Sequence, residues 1–151
     1  MSEGREIEFV TVLVADQLFG LPIAQVHDVF MIDRLTRVPL ASAEIAGVLN
    51  LRGRVVTTID MRRRLDLPAR EGAASRMMAV GIEHRGESYG LLIDSVGEVL
   101  KISAANCDPN PVNLDPRWAQ VANGVVQLDG RLMVILDVER VLEIKAAWLA
   151  A

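Results

Sequence analysis

Apolar residues in this chain come in short runs separated by turn residues, the pattern of a protein built from brief strands. Phe9 to Val14 is a continuous, β-branched run. Asp16-Gln17 then supplies a turn before the second run, Leu18 to Leu21, so the pair predicts a hairpin. Pro22 to Val26 reads as a short helical turn or an irregular step, with Pro22 suited to its first position. Val29 to Ile32 resumes an extended strand. Pro39 opens a predicted short helix over Ala41 to Ile45, which Gly47 would end as a C-cap. Asn50-Leu51-Arg52-Gly53 is a tight connection in which Gly53 is free to take positive φ. Val55 to Ile59 has the composition of a strand packed on a core, and Asp60 is placed to cap a short helix from Met61 to Leu65. Pro68 to Arg76 is small and polar and reads as a linker. Beyond it the pattern restarts: a strand over Met77 to Ile82, a turn over Glu83 to Gly86, and a strand over Tyr89 to Ile93.

That restart is a repeat. Phe19 to Phe30 aligns with Tyr89 to Leu100 at an offset of 90 − 20 = 70, with five of twelve positions identical and Asp28 opposite Glu98. Gly47 to Leu65 aligns with Gly124 to Leu142 at 124 − 47 = 77, with eight of nineteen identical. The extra residues fall in Lys101 to Asn123, whose Pro109, Pro111 and Pro116 predict an extended loop. Two copies of about 65–70 residues, each mostly short strands, predict a mainly β fold of two pseudo-symmetric five-stranded barrels. Barrels so small bury little alone, so a shared apolar interface is expected. The two subdomains are expected to be intertwined, one of about 15–75 and the other of about 76–144 plus the N-terminal strand. Residues 145–151 are expected to form a helical tail in which Trp148 packs.

Composition narrows the function. The chain has 151 residues, 51% apolar and 24% charged, with a net charge of −4. That balance argues against nucleic acid, whose phosphates are met by Lys and Arg. The one basic cluster, Arg62-Arg63-Arg64, reads as a solvated helix face. No apolar run approaches the roughly 20 residues that span a bilayer, and the N-terminus lacks the apolar core of a signal peptide. A cytoplasmic protein without membrane insertion is the expectation. Cys107 is the single cysteine, so an internal disulfide is excluded. His27 and His84 have no partner at metal-ligand spacing, and neither GxxxxGK[ST] nor GxGxxG occurs. Asp60 and Asp137 sit at equivalent helix starts, where capping is the better reading than paired catalysis. No catalytic, metal or cofactor site is predicted.

The informative place is where the repeat breaks its own symmetry. Gly47, Leu51, Gly53, Arg54 and Asp60 recur as Gly124, Leu128, Gly130, Arg131 and Asp137, whereas Arg52 faces Asp129. A side chain that the fold does not demand is available for a contact.

Gly47 to Arg62, with its Gly-Val-Leu-Asn-Leu-Arg-Gly start and Ile59-Asp60-Met61-Arg62 end, resembles the central motif of the CheW-like chemotaxis coupling proteins. Gly20 to Ile23, Val26, Val29, Ile93 to Val96 and Gly124 to Leu142 agree in order, so the likeness covers roughly residues 6–144 as one CheW-like domain. It implies paired five-stranded SH3-like β-barrels round a common core. It implies an adaptor, not an enzyme, which couples the cytoplasmic tips of methyl-accepting chemoreceptors to the regulatory domain of a CheA-type histidine kinase. By this resemblance Gly47 and Arg52 are implicated in receptor and kinase contacts, with Asn50 in the same motif, and Val26, Asp28, Val29 and Gly90 on or near them. A groove lined by Val26 and Val29 would hold the receptor's helical hairpin, with Arg52 at its rim. Two departures bear on partner preference: Asp28 stands where Glu is usual, and Thr57 where proline is common. A coupler in a pilus or surface-sensing pathway is the near alternative. A ligand-binding module or small enzyme on the same barrels is the distant one.

Overall fold

The β-branched runs become strands in the computed structural model, which describes residues 5–39, 42–68 and 77–143. The first hairpin joins β1 (Glu6–Val14) to β2 (Gln17–Pro22) through Ala15 and Asp16, both at positive φ (48° and 68°). That is the two-residue turn whose twist matches paired strands. A 3-10 turn at Ile23–Gln25 leads into β3 (Val26–Ile32), which starts three residues earlier than the apolar run alone predicts. Then come β4 (Ile45–Leu51), β5 (Arg54–Asp60) and the four-residue helix α1 (Met61–Arg64).

The second copy runs through β6 (Met77–His84), β7 (Glu87–Ile93) and β8 (Ser95–Ser103). A 3-10 turn at Ala104–Asn106 and the two-residue β9 (Cys107–Asp108) follow, then α2 (Pro116–Ala119). Strands β10 (Ala122–Leu128) and β11 (Arg131–Leu136) and helix α3 (Val138–Val141) complete it. The caps form as the sequence predicts: Asp60 accepts from the Arg62 and Arg63 amides, and Asp137 from that of Arg140.

Among the described residues the strands form two sheets, ordered β8-β1-β2-β11-β10-β9 and β3-β6-β7-β5-β4. Dropping the short β9, each is a set of five in matching order. Each joins one hairpin to the other copy's strands through a parallel pairing, β2 with β11 and β7 with β5. The described residues accordingly divide into one unit of 5–26 and 95–142 and another holding 27–39, 42–68 and 77–94. The N-terminal strand falls with the second copy's strands, as expected. The division near residue 75 is corrected: each hairpin is paired into the sheet of the other copy's strands, so the boundaries fall at Val26/His27 and Asp94/Ser95.

Each unit has its own core. In the first, Phe9, Leu18, Val126, Met133 and Ile135 pack together, and Trp118 of α2 meets Phe19 edge-on with centroids 5.6 Å apart. In the second, Ile32, Ala79 and Leu92 are buried against Phe30, Leu35, Ala46, Leu49 and Met77. Full burial of each large side chain stabilises by roughly 1.5–3 kcal/mol.

Two other local expectations need correction. Ile45 is the first residue of β4 rather than the end of a helix, and Gly47 lies inside the strand at a bulge where the register with β5 shifts. Its Cβ, if present, would lie 2.7 Å from the Thr36 carbonyl oxygen, so the glycine serves a close backbone approach rather than a helix end. Lys101 to Asn123 is not a plain loop. It ends β8 and holds β9 and α2, whose Asp115 cap accepts from the Arg117 amide with Pro116 in the first turn. The linker beyond Pro68 and the tail with Trp148 lie outside the described residues.

Candidate functional site

The β4–β5 hairpin lifts the asymmetric arginine to an exposed tip. Leu51 pairs with Arg54, leaving Arg52 (φ 55°) and Gly53 (φ 82°) as a two-residue turn with both residues left-handed. Asn50 holds it, its Oδ1 accepting from the Gly53 amide at 3.0 Å. Asn50 therefore shapes the tip that carries Arg52.

Arg52 lines a hollow of about 60 Å³ within the second unit. Asp28 lines it too, with Phe30, Val56, Ile82 and Tyr89 among its apolar walls and His27 and Ser88 nearby. Arg54 and Glu83 close one side through an ion pair at 2.8 Å. Both partners of that pair are half-exposed or nearly so, so it contributes at most about 1 kcal/mol. Burial, and then the Glu87 carboxylate, push the Tyr89 hydroxyl above its ordinary pKa, so it stays a protonated donor at neutral pH. The hollow is a small apolar cup with cationic and anionic groups at its lip.

The other expected contact residues are distributed differently. Val26 is the half-buried first residue of β3 and belongs to the first unit, whereas Asp28 and Val29 belong to the second. Along β3 exposure alternates, and His27, Val29 and Met31 are its exposed positions, the last two at 44%. Gly47 is buried under the Thr36 carbonyl, and the Thr58 hydroxyl donates to its carbonyl oxygen at 2.8 Å. Gly90 is buried beneath Phe30, whose Cζ would lie 3.3 Å from a Cβ there. Both glycines act on backbone and core geometry. Only Asp28 and Arg52 of the expected set come together in the hollow.

One charged cluster departs from its expected role. Arg62, expected on a solvated face, donates from Nε to Asp94 Oδ1 at 3.1 Å and from Nη2 to Oδ2 at 2.7 Å. Its Nη1 donates to the Pro68 carbonyl at 2.9 Å. A signal for this existed in the repeat: Arg62 aligns with Glu139 and Asp94 with Ala24, so both members break symmetry with opposite charges. Burial and then Asp108 push the Cys107 thiol pKa up, the direction that disfavours the thiolate. Among the described residues no group of three or more His, Cys, Asp or Glu is placed to hold a metal, and no helix is long and apolar enough to cross a membrane.

Comparison with known proteins bears on the same arrangement. Residues 8–146 match the CheW-like domain family. The chain is 30% identical to the chemotaxis protein CheW of Rhizobium meliloti over 138 residues, covering 91% of this chain and 87% of that one. It is 34% identical over 128 residues to protein FrzA of Myxococcus xanthus, covering 83% and 77% respectively. In structure it is similar to the scaffolding protein TtCheW of Thermoanaerobacter tengcongensis, with a TM-score of 0.83, 26% identity, and coverage of 93% and 95%. Two sheets of matching strand order, an exposed Arg-Gly turn, and these likenesses over nearly the whole length agree: the chain belongs to the CheW-like family of chemotaxis scaffolding proteins.

Proposed function

We propose that this protein is the cytoplasmic adaptor that couples methyl-accepting chemoreceptors to a CheA-type histidine kinase, and that it does so by contact and not by catalysis. The observation that carries the reading is the hollow at the β4–β5 hairpin. Arg52 sits at its lip on an exposed two-residue turn, and the other copy places Asp129 at the equivalent position. A fold that accepts either charge there leaves this one available for a partner. The apolar walls from Phe30, Val56 and Ile82 give an inserted side chain contact area, and the charges at the lip fix its register. Because the shape exists before binding, little ordering cost is added on association. Receptor and kinase contacts on one chain would let receptor state bias kinase state, which requires only differential affinity between kinase states.

Calorimetric titration of the full chain with a kinase regulatory domain, and separately with a receptor tip fragment, tests this. Both bind. Arg52→Ala weakens one by about tenfold, near 1.4 kcal/mol, and Arg52→Asp weakens it further, with circular dichroism unchanged. Wild-type protein that binds neither partner refutes the reading.

A further inference from the structure

From the hollow's floor we infer that Gly81 is a positioning residue for Asp28, an inference that rests on the adaptor reading for its consequence in binding. Gly81 lies on β6 directly opposite Gly90 on β7. A Cβ at Gly81 would collide with Asp28 Oδ1 and approach Phe30 Cε1 to 3.1 Å. The missing side chain is thus the space that the Asp28 carboxylate occupies at the wall of the hollow.

Pseudo-symmetry shows that the fold itself makes no such demand. At the offset of 70, Gly81 corresponds to Thr11, which likewise faces a glycine, Gly20, across its hairpin. Thr11 is buried there, and its hydroxyl donates to the Glu98 carbonyl at 2.7 Å. Glu98 is the counterpart of Asp28. In the first unit, then, a side chain from β1 fills the place and ties down the backbone of the neighbouring strand. In the second the place is vacated, and the acidic side chain of β3 folds into it instead. Gly81 thereby replaces a structural hydrogen bond with a seat for a carboxylate in the wall of the hollow.

Relief of the collision needs the end of the flexible Asp28 side chain to swing and the Phe30 ring to give by a few tenths of an ångström, so Gly81→Ala moves the carboxylate while sparing the fold. The test compares wild type, Gly81→Ala, Asp28→Ala and the double variant, as full chains. Readouts are melting temperature, the carboxyl carbon signal of Asp28 by NMR, and titration with the kinase regulatory domain and the receptor fragment. Gly81→Ala is expected to melt within a few degrees of wild type and to shift the Asp28 carboxyl signal. It should weaken one partner by the same factor as Asp28→Ala, with the double variant no weaker than either. An unmoved Asp28 signal, wild-type affinity, or effects of the two substitutions that multiply would each overturn the inference. If Gly81→Ala melts far below wild type, recovery in the Asp28→Ala background supports the inference, and failure to recover overturns it. Should wild type bind neither partner, the adaptor reading falls, and the Asp28 signal alone decides whether Gly81 seats it.

Discussion

Removing the Asp94 carboxylate tests the strongest electrostatic contact described above. Arg62 meets Asp94 through two parallel charge-assisted hydrogen bonds of 3.1 and 2.7 Å, with the two side chains 20% and 24% exposed. Fully exposed pairs contribute about 0–1 kcal/mol, whereas breaking a buried pair costs about 3–5 kcal/mol because a charge is left without its partner. Screening at this intermediate exposure places Asp94→Ala between those limits, at about 2–3 kcal/mol. For a chain of this length each kcal/mol lowers Tm by about 2–4 °C, so a fall of roughly 5–10 °C is expected. Asp94→Asn should recover a part of it, since one amide oxygen still accepts from the guanidinium. Urea unfolding of wild type, Arg62→Ala, Asp94→Ala and the double variant measures the coupling directly. Strict additivity, or an Asp94→Ala protein within about 0.5 kcal/mol of wild type, would refute the view that Arg62 is tied down rather than solvated.

Three further outcomes follow from the same geometry. Gly47→Ala should cost roughly 1–3 kcal/mol, because the added Cβ meets the rigid Thr36 backbone, which also pairs with Val48. Thermal melts and partner titration together would show binding lost only in step with folding. Arg52→Asn should raise stability by about 0.5–1 kcal/mol, since Asn-Gly suits a turn with both residues left-handed and arginine does not, while partner affinity falls. Asp115 is held at about 2 by its hydrogen bonds with Arg117, below the ordinary carboxylate value. A depressed folded-state pKa means the cap's contribution is complete above pH 4 and is lost as pH falls toward 2. Fluorescence of Trp118 in a Trp148→Phe background, titrated through that range, checks it.

Much of the fold was legible because β-branched runs and paired turn residues are local signals, and the repeat reinforced them. The exchange of hairpins was legible only in part: the N-terminal strand was placed with the second copy, but an internal alignment shows which strands correspond without saying which copy β2, β6 and β7 will pair with. Gly47 misled through a true general rule: a glycine after Ala41 to Ile45 suits a helix end, but here tertiary packing of Thr36 against β4 decides its conformation. Proline density hid α2, although Asp115-Pro116 is itself a helix-start signal. At the candidate site, Arg52 and Asp28, which line one hollow, were singled out through asymmetry and resemblance. Gly81 was invisible because its meaning lies in what a neighbouring strand places over it.

The exchanged hairpins carry a consequence for the origin of the chain. One copy alone, β1 through α1, holds a hairpin with no sheet to join and three strands with no hairpin to complete them. A half-length polypeptide of this kind would become whole only by trading hairpins with a second molecule, each completing the other. Gene fusion would then have made that trade permanent and freed the two copies to diverge. Separately expressed halves, split within residues 69–76, should accordingly be unstructured apart and should reconstitute one another when mixed.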